Sequence, residues 1–151
     1  MTVTILFEHS IVHVIYEQYN EIKELEPIAE EYEGKINGRY GFNFPFNIIR
    51  KDNKSKIITN IMKHNDMKPN YVVVYKKGDI MTKKHELQHA KYYIDKEYRE
   101  TVQKMWDSFD SKYKSNVISM LKRMGYPEHV MIDEFQAYYF TEKSNFFGKN
   151  Q

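Results

Sequence analysis

The segment Lys83-Lys84-His85-Glu86-Leu87-Gln88-His89-Ala90 sets two imidazoles four residues apart, with a carboxylate directly after the first. On a helix, His85 and His89 lie on one face, one turn apart. Each can bring a nitrogen to about 2.0–2.1 Å from a single Zn²⁺. Glu86 is rotated by about 100° from His85, beside the ion, where a carboxylate can hold and deprotonate a zinc-bound water. The chemistry is metal-assisted amide hydrolysis, with Glu86 as general base.

Such a pair needs a rigid helix under it. The β-rich run Tyr71-Val72-Val73-Val74-Tyr75 predicts a strand that ends at Lys76-Lys77-Gly78. Asp79 or Thr82 then caps a helix running to about Lys96, with Leu87, Ala90 and Ile94 as its buried stripe.

Catalytic zinc takes three protein ligands and leaves a fourth position to water. The chain has no cysteine, so the ligands must be His, Asp or Glu. Asp95 stands ten residues after His85, the spacing of the metzincin third ligand. Metzincins need glycine where Tyr92 stands, because the chain must turn back to the metal. Tyr92-Tyr93-Ile94 instead continues the helix and carries Asp95 about 15 Å along its axis from His85. Glu134, in Ile132-Asp133-Glu134-Phe135-Gln136-Ala137-Tyr138, lies on a separate predicted helix and can approach from the side. Ala137, one turn on, allows two helices to pack closely.

HExxH after a strand, with a later helix carrying Glu134 and then Ala137, resembles the gluzincin branch of the zincin-like metallopeptidases in a minimal form. The resemblance implies a zincin-like α+β fold: a small N-terminal sheet with flanking helices, the HExxH helix, and a helical C-terminal half. It implies one Zn²⁺ on His85, His89 and Glu134, with Glu86 catalytic and a peptide or protein substrate in extended conformation. It likens Tyr71–Tyr75 to the edge strand that pairs with such a substrate. Gluzincins stabilise the oxyanion with a Tyr or His; Tyr92, Tyr93, His129, Tyr138 and Tyr139 all stand open for that role. Several also have Asp four residues after the ligand Glu, bonded to a zinc histidine. This chain has Tyr138 there, which leaves the partner of the histidines unassigned.

Around this site, 151 residues predict a single domain, residues 1–151, with a core of its own. Thr2–Phe7 alternates as a strand. From Ser10, Ile11, Ile15, Tyr19, Ile22, Leu25, Ala29 and Tyr32 fall at helical spacing up to a Gly34 cap, with Pro27 as a break; the competing reading makes Ile11–Tyr16 the second strand of a hairpin. His9 and His13 are expected to be ordinary surface or half-buried histidines. Lys35–Arg50, with Asn37-Gly38, Gly41 and Pro45, predicts one or two short strands. Lys51–Lys56 is a polar, basic loop, and Ile57, Ile58, Ile61 and Met62 suggest a short helix, with a strand as the alternative. Helices follow over Glu97–Phe109, from an Asp110 or Ser111 cap to Gly125, and over Glu128–Thr141 behind Pro127; the tail from Lys143 is expected to be loose.

The net charge of +2 predicts no dedicated polyanion partner, so Lys51, Lys54, Lys56, Lys76, Lys77, Lys83 and Lys84 make only a weak case for nucleic acid. No stretch nears the ~20 apolar residues of a membrane span. The start lacks a basic leader, and with no cysteine the expected compartment is the cytoplasm. The alternative function is a zinc-binding regulatory or interaction module that does not cleave; metal binding alone would not need Glu86.

Overall fold

The computed structural model describes residues 3–34 and 39–149. Thr2 of the first predicted strand, the Asn37-Gly38 turn and the last two tail residues lie outside the described residues.

β1 (Thr4–Glu8) and β2 (Ile11–Tyr16) form an antiparallel hairpin, with Glu8 opposite Ile11. The hairpin reading of Ile11–Tyr16 therefore holds, and the long first helix does not. The β-branched run Ile11-Val12-His13-Val14-Ile15 fits a pleated surface, and Val12, Val14 and Tyr16 turn inward together. His9 and Ser10 make the two-residue turn, both at positive φ (53° and 64°), the hand that matches strand twist. Two 3-10 turns, Tyr19–Glu21 and Lys23–Leu25, follow the hairpin, and α-helix begins at α1 (Glu26–Glu33), with Pro27 in its first turn and Gly34 closing it at φ 86°.

β3 (Phe42–Pro45) pairs antiparallel with β4 (Tyr71–Lys76), and β4 pairs parallel with β2. The sheet order is β1-β2-β4-β3. Tyr71–Tyr75 is thus an interior strand with both sides paired, not the edge strand of the sequence reading. β3 ends the sheet on that side.

One face of the sheet buries Val12, Val14, Phe42, Phe44, Val72 and Val74 with Ile28 and Ala29 of α1 and three isoleucines of α2 (Lys56–Met62). On the other face Tyr71, Val73 and Tyr75 meet Ala90, Leu87 and Tyr93 of α3 (Ile80–Ile94). His13 is on this face, with Nδ1 2.8 Å from the Tyr75 hydroxyl, and is buried rather than at the surface or half-buried; His9 is exposed.

α3 is capped by Asp79, whose carboxylate accepts from the Thr82 amide. Its buried residues are Glu86, His89 and Ala90, while Ile94 is exposed. The predicted apolar stripe is therefore rotated: the helix buries its chemistry-bearing face. Asp95 ends α3 and caps α4 (Lys96–Ser108) by accepting from the Tyr98 amide.

α4, α5 (Ser111–Arg123, capped by Asp110) and α6 (Met131–Thr141) pack around Trp106, Phe109, Val117, Leu121 and Phe135. A 3-10 turn at Glu128–Val130 stands where the last helix was expected to begin. The tail is not loose: Phe147 is buried in this cluster, and Phe146 stacks on Tyr138 at 5.1 Å. No helix among the described residues is long and apolar enough to cross a membrane.

Candidate metal centre

α3 lies between the sheet and α6. Helical spacing sets His85 and His89 on one side of α3, with their Nε2 atoms 3.3 Å apart. α6 brings Glu134 to them: its Oε1 is 3.3 Å from His89 Nε2 and 3.7 Å from His85 Nε2. His85, His89 and Glu134 form a cluster that can hold a metal ion. Ala137, fully buried, gives the room for α6 to pack against α3.

The hydrogen bonds decide which lone pairs meet. His89 Nδ1 is 2.9 Å from Asp133 Oδ1, so it donates its proton there. His85 Nδ1 is 3.5 Å from Thr141 Oγ1, whose own proton goes to the Ala137 carbonyl. Both Nε2 atoms then present lone pairs. Glu134 Oε1 is buried and has no hydrogen-bond partner. With both rings neutral, three sets of lone pairs converge, an arrangement that a proton on His89 or a metal cation satisfies. Tetrahedral ligands about 2.0–2.1 Å from zinc stand about 3.3–3.4 Å from one another; two of the separations found, both 3.3 Å, fit that, and the third, His85 to Glu134 at 3.7 Å, is longer.

Burial opposes charge on His89, but the Glu134 and Asp133 carboxylates outweigh it and hold its pKa well above 6.5. Burial would likewise raise Glu134, yet His89 and His85 reverse this and lower it from 4.5 to about 2. Glu86 is pushed upward by burial, against the pull of His85, His89 and the bond from Asn43. Asn43 Nδ2 donates to Glu86 Oε1 at 2.8 Å.

A cleft of about 210 Å³ opens over the cluster. Tyr40, Gly41 and Asn43 line it from the β3 side, Glu86 from α3, and Tyr126 and Tyr138 from the helical side. The Tyr138 ring lies 4.5 Å from that of His85, and its hydroxyl is 2.8 Å from that of Tyr126. Arg39 sits 3.9 Å over the Tyr126 ring and 3.8 Å from Glu33. Glu33 is buried, and burial, then Glu134 and Glu86, raise its pKa well above 4.5.

Of the five side chains open for the oxyanion role, only Tyr138 lines this cleft. Tyr139 packs on Phe109 and Phe135, Tyr93 on Tyr71, and His129 bonds to the Tyr32 carbonyl. Tyr92 gives its carbonyl to Arg99.

Sequence reasoning did not find Asp133, Asn43, Glu33, Arg39 or Tyr126. Asn43 left a signal, a lone amide inside the apolar strand Phe42-Asn43-Phe44-Pro45. Asp133 left a weaker one, a carboxylate between Met131-Ile132 and Phe135 on a helix meant to be buried.

No family model, curated protein or solved structure matches the chain, so the centre is read from its own geometry.

Proposed function

We propose that this chain is a zinc-dependent peptidase of the zincin-like, gluzincin type, with His85, His89 and Glu134 holding the metal and Glu86 as general base. The observation that carries it is Glu134 Oε1, buried without a hydrogen-bond partner and facing both histidine Nε2 atoms. Neutral nitrogens and a carboxylate suit Zn²⁺. Zinc held there supplies Lewis acidity, which makes water acidic near neutral pH and polarises a carbonyl.

The chain's residues do the rest. Glu86 accepts the proton of the attacking water and passes it to the leaving amine. Its buried position, against an asparagine donor, keeps it aimed at the cleft. Tyr138 donates to the developing oxyanion. Its hydroxyl and that of Tyr126 share one hydrogen bond, which leaves one O–H of the pair for a ligand. An extended peptide lies along Tyr40–Asn43, where the sheet ends at the cleft.

Metal analysis of the purified protein tests this. It should carry a single zinc, lost in His85→Ala and in His89→Ala. A full equivalent retained in both variants would overturn the assignment.

A further inference from the structure

Asn43 is a buried amide in a strand that is otherwise apolar, 1% exposed between Phe42 and Phe44. Its register opposite Val73 turns it to the α3 side of the sheet, while its two neighbours enter the main core. A buried amide costs free energy unless its donors and acceptor are met. Here all are. Nδ2 donates to Glu86 Oε1 at 2.8 Å and to Glu33 Oε2 at 3.4 Å. Oδ1 accepts from the Tyr71 hydroxyl. Turned over, the amide would set its oxygen against two carboxyl groups, so Nδ2 faces Glu86 and Glu33, and the Tyr71 hydroxyl holds the amide there by donating to Oδ1.

We propose that Asn43 is the positioning residue of the general base, oriented by Tyr71 and steadied by Glu33; this rests on the reading of Glu86 as that base. Asn43 occupies Glu86 Oε1. The other oxygen is left beside Gly41, where a Cβ would come within 3.1 Å of it. The two carboxylate oxygens thus have separate tasks: one is anchored in the protein, the other is presented to the cleft. An apolar residue at 43 would fill the strand equally well but leave Glu86 without its anchor.

The test uses acetohydroxamic acid on the zinc-loaded protein, with affinity read by calorimetry. A hydroxamic acid that chelates a metal gives its hydroxyl proton to a neighbouring carboxylate, so its affinity reports where the free oxygen of Glu86 stands. Glu86→Gln and Asn43→Ala should each weaken the probe by about tenfold or more, with zinc content unchanged. The double variant should bind no more weakly than Glu86→Gln alone, because Asn43 acts through Glu86. A probe affinity for Asn43→Ala equal to wild type would overturn the proposal, as would losses that multiply in the double variant. Should Asn43→Ala not fold, Tyr71→Phe removes the oxygen that orients the amide. It should weaken the probe in the wild-type background and not in the Glu86→Gln background; equal affinity with wild type overturns the proposal. A wild-type protein that takes up no zinc defeats the peptidase reading and this one together, and is seen before any probe is added.

Discussion

Asp133 Oδ1 lies 2.9 Å from His89 Nδ1, and the next residue, Glu134, faces Nε2 of the same ring at 3.3 Å. Consecutive helix positions diverge by about 100°, so one turn of α6 holds both edges of a single imidazole. Gln136 donates to the same Asp133 oxygen at 3.0 Å and is itself held by the Tyr98 hydroxyl at 2.7 Å. The partner of His89, which the sequence left unassigned, is therefore the residue just before Glu134.

Asp133→Asn keeps the shape and removes the charge that fixes the His89 tautomer. Zinc affinity should fall by about 10–100-fold with helix content unchanged. Competition against a chromophoric chelator measures this; wild-type affinity would deny Asp133 the role.

The pH dependence follows from the two shifted groups. His89 is raised, so its contribution to the ion-free fold is complete below 6.5 and is lost as pH climbs through its folded value. Glu134 is lowered, so its contribution is complete above 4.5 and is lost as pH falls towards about 2. Zinc takes the Nε2 position that the extra His89 proton occupies, so below the folded His89 value binding must release that proton. The gain in Tm on adding zinc should be larger at about pH 7.5 than at about pH 5.5. A gain independent of pH would contradict this.

Glu86 is beside the cluster and is not one of its three members. Glu86→Gln keeps an oxygen that can accept from Asn43 Nδ2 but cannot take a proton. Zinc should stay bound while cleavage of a denatured protein substrate falls by about 10²–10⁴-fold. Cleavage near the wild-type rate would remove Glu86 as base.

Gly41 packs where no side chain fits: a Cβ would stand 2.3 Å from Thr82 Cγ2 and 2.9 Å from the Val74 carbonyl. The carbonyl belongs to the central strand and cannot yield. Gly41→Ala should cost about 1–3 kcal/mol in denaturant unfolding and push β3 off α3. Unchanged stability would show that the approach is looser than it stands.

Phe147 is 4% exposed between Phe135 and Tyr138. Phe147→Ala should destabilise the fold by about 3–5 kcal/mol, as for a core aromatic. An effect within about 0.5 kcal/mol, that of a surface change, would mean the tail does not hold the cluster.

The sequence by itself determined what depends on near neighbours. Helical periodicity alone sets His85 and His89 one turn apart with Glu86 beside them, and the caps at Asp79, Asp110 and Gly34 act within four residues of their side chains or amides. Glu134 was legible as a member of the cluster for a second reason: two histidines alone would leave a metal short of a ligand, and a continuous helix carries Asp95 out of reach. Ile11–Tyr16 was ambiguous because its apolar residues satisfy both periods, and only pairing with β1 and β4 settles it. The tertiary structure decided the rest. Asn43 reaches Glu86 across 43 residues and Asp133 reaches His89 across 44, contacts no local pattern encodes. The interior place of β4 and the docking of Phe146-Phe147 are likewise outcomes of packing. A buried polar group must find a partner wherever the fold supplies one, and which residue that is depends on which elements come together.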